Sequence, residues 1–113
     1  MSEPASLPTV PVSVRIVEAE TVFAALGDPS RRRILMALSD GRFHLGRALG
    51  SAIGRRFDNT RKHLDGLVKA GLVVAENDPS DPRRQHYRLA SSVKVAETPE
   101  GKTMDFGHCM VRL

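Results

Sequence analysis

The chain has no tryptophan, one tyrosine and four phenylalanines among its 113 residues. Rings therefore cannot dominate its interior, and any core must be assembled from leucine, valine, isoleucine and alanine. Its single cysteine, Cys109, excludes an internal disulfide and a dithiol sensor, and fits a reducing compartment. No apolar run approaches the ~20 residues that span a bilayer, so no membrane partner is expected. The first ten residues carry an acid and two prolines in place of a basic start and an apolar stretch. No signal peptide is expected, and the expected location is cytoplasmic.

Catalytic patterns are equally scarce. Gly46, Gly50 and Gly54 are spaced like helix positions and lack the Lys-Ser/Thr that completes a phosphate loop. His44, His63, His86 and His108 are scattered, with no i, i+4 pair and no neighbouring carboxylate set. A metal site shared between subunits, built from Cys109 and a histidine, is the weaker alternative to a packed thiol. The expectation is a protein that is not an enzyme, with no cofactor.

What the chain does have is length for one domain, 41% hydrophobic and 27% charged residues, and an uneven distribution of charge. Residues 31–88 hold 13 Lys/Arg against 6 Asp/Glu, while the remainder holds 4 against 7. A basic middle suits a polyanion, because each neutralised phosphate releases counterions; it also suits plain solubility, so charge alone does not decide.

Pro4, Pro8 and Pro11 disfavour regular structure in a tail over residues 1–13, expected to be extended or disordered. Helical spacing predicts a first helix from about Arg15 to Leu26. Asp28-Pro29 is an N-cap followed by a proline at the first helical position, and starts a second helix that buries Ile34, Leu35 and Leu38. Leu45, Leu49, Ala52 and Ile53 predict a third helix over about 43–53, in which Gly46 and Gly50 imply a close helix contact. A fourth, about Arg56 to Ala70, places Phe57, Thr60, Leu64, Leu67 and Val68 on one face and ends at Gly71 in a left-handed cap. Leu72 to Ala75 reads as a strand, Asn77 to Pro82 as a loop and Gln85 to Leu89 as the returning strand. Val93 to Glu97 and Thr103 to Leu113, around a turn at Pro99–Lys102, read as a second hairpin in which Met104, Phe106, His108 and Met110 share one face. The expected fold is mainly α with a small antiparallel β wing, a winged helix-turn-helix over residues 14–90, and an extra C-terminal β-hairpin over residues 91–113.

A helix fits the major groove, and a helix-turn-helix presents the N-terminal end of its second helix to base edges. Here that end holds Arg55, Arg56, Asp58, Asn59, Thr60, Arg61 and Lys62. Asn59 can pair with adenine, and Arg61 or Lys62 with guanine or a phosphate; the plainer alternative is a solvated helix face, with Arg61 paired to Asp65. Arg83, Arg84 and His86 form a second basic cluster, on the wing, suited to phosphates or the minor groove. Arg31, Arg32 and Arg33 could add backbone contacts, with at least one of them facing acids.

The stretch Ala-Leu-Gly-Asp-Pro-Ser-Arg-Arg-Arg-Ile-Leu-Met-Ala-Leu at 25–38 resembles the opening of the ArsR-type (arsenical-repressor-like) winged-helix regulators. Thr-Arg-Lys-His-Leu-Asp-Gly-Leu-Val-Lys-Ala-Gly-Leu-Val at 60–73 is similar to their recognition helix, and Tyr87-Arg-Leu89 to the end of their wing. The resemblance covers about residues 18–90. It implies a dimer that binds operator DNA as a transcriptional repressor, with His63 matching the family's His-Leu pair and supporting the helix more than reading bases. Two departures stand out. The stretch Phe43-His-Leu-Gly-Arg-Ala-Leu49 lacks the cysteine of metal-sensing members, and residues 93–113 look like strands where many members end in a helix of the dimer interface. The dimer would then rest on the first helix or on the added hairpin, whose edge could pair with a second copy or a partner unless it folds back to extend the wing sheet. The competing functions are a protein-interaction module and a sensor that takes a small-molecule effector at the C-terminal hairpin. A basic recognition face favours double-stranded DNA.

Overall fold

A computed structural model describes residues 18–112. The tail expected over residues 1–13, and the expected start of the first helix, lie outside the described residues. Four helices and six strands follow: α1 Ala19–Leu26, α2 Pro29–Ala37, β1 His44–Leu45, α3 Gly46–Ile53, α4 Phe57–Lys69, β2 Val73–Asp78, β3 Asp81–Leu89, β4 Lys94–Thr98, β5 Gly101–Asp105 and β6 Met110–Arg112.

The N-cap reading of Asp28 is met directly. Its Oδ1 accepts from the Ser30 N–H at 2.7 Å and the Arg31 N–H at 3.2 Å, which satisfies two of the four free amides of α2. The slight burial of Asp28 opposes ionisation, but these two N–H donors outweigh it and hold the carboxyl below the usual carboxylate range. Gly54 and Gly71, at φ 71° and 81°, make the left-handed turns after α3 and after α4.

Val22, Ile34, Leu35, Leu38, Leu49, Leu64, Leu67 and Leu72 are all essentially inaccessible and form the centre of the core. Phe57 departs from its expected place in the stripe, being 39% exposed at the start of α4.

The third helix begins later than its periodicity suggests. Residues His44 and Leu45 pair with Tyr87 and His86 of β3 as a short strand, so the sheet order is β1-β3-β2. Sheet hydrogen bonds replace helical ones there, and Leu45 takes the extended N-cap position of α3. The wing is also longer than expected. Strands β2 and β3 run to Asp78 and from Asp81, leaving Pro79 and Ser80 between them, with a register shift at Asn77/Asp78.

The C-terminal hairpin is a meander of three strands, β4-β5-β6, in a sheet separate from the wing; it does not extend the wing sheet. The expected long strand 103–113 breaks after Asp105. Gly107, at φ 89°, turns the chain, its N–H bonded to Asp105 Oδ1 at 2.8 Å, and Phe106 N–H donates to Cys109 O at 2.9 Å. The alternation therefore fails beyond Phe106: Met104 and Phe106 are buried, whereas Met110 is 66% exposed. His108 and Cys109 lie in this turn and not on opposite faces of a strand. Val93, Met104 and Phe106 join the same apolar cluster as the helices, so one core serves both sheets.

Candidate nucleic-acid interface

Helices α3 and α4 form the helix-turn-helix, and two glycines set their separation. A Cβ on Gly46 would stand 2.5 Å from Phe57 Cε1, and one on Gly50 would stand 3.1 Å from Arg55 O and 3.2 Å from Thr60 Oγ1. The close contact expected of both glycines is present. It also disposes of Thr60 as a groove contact: the residue is fully buried, and its hydroxyl donates to Arg56 O at 2.9 Å.

With Thr60, Leu64 and Leu67 fixing the buried line of α4, helical geometry at ~100° per residue orders the rest. Asp58 and Lys62 lie ~160° from Thr60, on either side of the outermost ridge. Arg61 lies ~100° round on the flank shared with Phe57, and Asn59 ~100° round on the other, with His63 beside it. All four polar residues of the first two turns, Asp58, Asn59, Arg61 and Lys62, are exposed, as are Arg55 and Arg56 before them. His63 is half-buried, and it is close enough to the start of α2 for its charge to bear on Asp28. The expected alternative pairing of Arg61 with Asp65 is absent, since no ion pair joins them among the described residues.

On the wing, Arg83 and Arg84 are exposed at the tip, where Asp81 takes both: Nε of Arg83 at 3.3 Å from Oδ1 and Nε of Arg84 at 3.4 Å from Oδ2. The adjoining turn is tied by Asp78, whose Oδ1 accepts from the Ser80 N–H at 3.0 Å and hydroxyl at 2.9 Å, which lowers its pKa. His86 has a different environment from the one expected of a phosphate contact. Its ring stacks on Phe43, with centroids 3.8 Å apart and planes 15° apart, and its Nε2 is buried without a partner. Arg88 sits over the same Phe43 ring at 5.0 Å, a cation–π contact that sequence spacing did not reveal.

Between the flank of α4 and the wing lies a cleft of about 440 Å³. Arg47 at the start of α3, Arg61 on α4 and Arg83 and Arg84 on β3 line it, with Asn77 and Gln85 as neutral hydrogen-bonding groups and Leu45, Phe57 and Tyr87 as its apolar walls. No aspartate or glutamate lines it. Tyr87 donates its hydroxyl to Gln85 Oε1 at 3.3 Å; burial and the Asp65 charge raise its pKa against the opposing effect of Arg61. Arg47 is not among the residues that the sequence singled out. Its signal was its place one residue into the helix before the recognition helix.

Arg31 and Arg32 form no ion pair with an acid among the described residues, although the charge of Arg31 helps to lower the Asp28 pKa. Arg31 donates from Nε to Ala25 O at 3.0 Å and from Nη2 to Ala24 O at 2.8 Å, and Arg32 donates from Nη1 to Leu26 O. Three terminal carbonyls of α1 are thereby satisfied. Among the described residues, no group of three or more His, Cys, Asp or Glu gathers to hold a metal ion, and no helix is long and apolar enough to cross a membrane.

Fold and surface together define a winged helix-turn-helix with a basic cleft between recognition helix and wing. No family model matches the chain. The cadmium metal-sensor CmtR of Mycobacterium tuberculosis has a solution structure that superposes with a TM-score of 0.55 at 37% identity, over 66% of this chain and 73% of that one. The homodimeric winged helix-turn-helix DNA-binding domain of Mb0332 from Mycobacterium bovis, a possible ArsR-family transcriptional regulator, superposes with a TM-score of 0.57 at 30% identity, over 65% of this chain and 64% of that one. In sequence, the HTH-type transcriptional regulator CmtR is 43% identical over 68 residues, 60% of this chain and 54% of that protein. The uncharacterized HTH-type transcriptional regulator YdfF of Bacillus subtilis is 35% identical over 71 residues, 63% of this chain and 30% of that protein. The chain thus spans about a third to a half of the curated relatives it matches. It belongs to the ArsR-type winged helix-turn-helix regulators.

Proposed function

We propose that this protein is a sequence-reading, double-stranded DNA-binding regulator of transcription, a repressor, that acts as a homodimer and is not an enzyme. The observation that carries the reading is the acid-free cleft, where Arg47, Arg61, Arg83 and Arg84 converge from three elements between recognition helix and wing. Scattered surface charge would not produce this convergence. Helix α4 would enter the major groove while the wing tip follows the flanking backbone. Arg55, Arg56, Asp58, Asn59, Arg61, Lys62, Arg83 and Arg84 form the interface; Thr60, His63 and His86 hold it in shape.

A homodimer would place two such helices about one helical turn, ~34 Å, apart on the duplex. Phe23 on α1 and Met36 on α2, 54% and 47% exposed, are large apolar side chains outside the DNA face and support self-association through the first helices. Residues 91–113 act in this reading as an extension of the unit 14–90, because their apolar face is part of its core.

The test is fluorescence anisotropy with a duplex from the protein's own promoter and a scrambled duplex, each across a salt series, with light scattering for the stoichiometry. The expected result is tighter binding to the promoter, weakening steeply with salt on both. Absence of binding to either duplex at low salt would overturn the reading.

A further inference from the structure

Resting on the DNA-binding reading above, the geometry points to a division of labour on α4: the ridge Asp58–Lys62 reads a cytosine and a guanine, while Arg61 joins Arg47 and the wing arginines in gripping a backbone phosphate.

The first part follows from where the side chains stand. Arg61 shares the flank of Phe57, and both line the cleft with Arg47, Arg83 and Arg84. A group directed into that cleft is turned away from whatever the outermost ridge of the helix meets. The side chain of neither Arg47 nor Arg61 forms an ion pair or hydrogen bond with another described residue, so both guanidinium groups are available to a phosphodiester. Asn77 and Gln85 add uncharged donors at the wing side of the same cleft.

The second part concerns the ridge. Asp58 and Lys62 are four residues apart with opposite charges, a spacing at which the two commonly neutralise each other on a solvated helix. Here both are exposed and no ion pair joins them. A carboxylate is an acceptor only, and in the major groove it accepts from the amino group of cytosine; an ammonium is a donor only, and it matches O6 and N7 of guanine. Cβ atoms four apart on a helix are ~5–6 Å from each other, which corresponds to about two base steps of ~3.4 Å. The half-site therefore contains a cytosine and a guanine within about two steps, and the negative Asp58 excludes purines whose N7 would face it.

The experiment is selection from a randomised 30-base-pair duplex pool, followed by anisotropy of each protein on its enriched duplex across a salt series. The wild type should enrich a half-site with cytosine and guanine so spaced. Asp58→Ala and Lys62→Ala should each lose preference at one of these positions alone. Asp58→Asn should exchange cytosine for adenine, whose N6 and N7 an amide matches, a change of specificity that loss of folding cannot imitate. Arg47→Ala and Arg61→Ala should enrich the wild-type half-site. Each should flatten the salt slope by ~0.9, so that a tenfold rise in salt weakens binding by about eightfold less. An unchanged half-site in the Asp58 and Lys62 variants would overturn the assignment, as would an altered half-site with an unchanged slope in Arg61→Ala. Wild-type binding without enrichment would also overturn it while leaving DNA binding intact, and no binding to any duplex would overturn both.

Discussion

Two groups of arginines occupy neighbouring parts of this molecule and have opposite fates. Arg31 and Arg32, near the start of α2, are turned back onto the last carbonyls of α1. Arg47 and Arg61 point into an acid-free cleft and meet no partner, while Arg83 and Arg84 share the one carboxylate of Asp81. In the sequence the two groups are equally basic. What separates them is the tight turn at Gly27, which brings the first arginines of α2 beside the negative end of α1, where the terminal carbonyls of that helix are the nearest acceptors. The first group is spent within the fold, whereas in the second Arg47 and Arg61 keep unpaired guanidinium groups and Arg83 and Arg84 share one acid.

The largest effect on this comparison should come from dismantling one side of it. Gly46→Val places a branched side chain where even a Cβ would stand 2.5 Å from the Phe57 ring. The ring must move, and because it is part exposed and walls the cleft beside Arg61, its displacement reshapes that wall. Such overpacking costs about 1–3 kcal/mol, read by chemical denaturation, and duplex affinity should fall further than that loss of folded protein explains. An unfolding midpoint and affinity equal to those of the wild type would mean that the ring seat does not organise the cleft.

A smaller effect is expected from Arg31→Ala combined with Arg32→Ala. Leu26 O would return to water, and Ala24 O and Ala25 O would keep only their longer bonds from the Gly27 and Asp28 N–H groups, at a cost of about 1–2 kcal/mol in stability, while the salt slope of duplex binding stays where it was. A flattened slope would place these arginines on the DNA and erase the distinction between the groups. Asp28 sets the same arrangement, because its cap starts the helix that delivers Arg31. Asp28→Ala should cost about 1 kcal/mol at neutral pH. Its depressed carboxyl pKa means that the unfolded state takes up the proton first. Its contribution is thus complete above the unfolded value of ~3.9 and is lost as the pH falls through the lower folded value. Asp28→Asn keeps an acceptor, so its stability should decline less than that of the wild type over that acidic range, as measured by denaturation at a series of pH values.

The helical half of the fold was legible because its signals are local. Asp28-Pro29, Gly54, Gly71 and the stripe through Thr60, Leu64 and Leu67 each act over a few residues, and each stands where its spacing implies. The misses arose from pairing at a distance. Phe43 to Leu45 have a helical pattern but are drawn into the wing by β3, and Thr103 to Leu113 alternate like one strand although Gly107 divides them. The same limit applied at the site. The exposed ridge of α4 followed from periodicity alone. The burial of the Thr60 hydroxyl against Arg56, the stacking of His86 on Phe43 and the convergence of Arg47 with Arg61 all depend on which elements meet.

The smallest expected change in stability is also the finest probe of the comparison. Asp81 is the acid that restrains the wing arginines, at 3.3 Å from Arg83 Nε and 3.4 Å from Arg84 Nε. Arg83 is almost wholly exposed, and ion pairs of this kind contribute about 0–1 kcal/mol, so Asp81→Asn should change the unfolding free energy by no more than ~0.5 kcal/mol. The wing tip nevertheless becomes more positive by one unit, with two guanidinium groups released toward the cleft. Binding should tighten severalfold on promoter and scrambled duplexes alike, and the salt slope should steepen by up to ~0.9 for each arginine that gains a phosphate. A gain confined to the promoter duplex would assign the wing a part in reading sequence. No gain on either duplex would show that Arg83 and Arg84 reach no phosphate even when released from Asp81, and the group that grips the backbone would then reduce to Arg47 and Arg61.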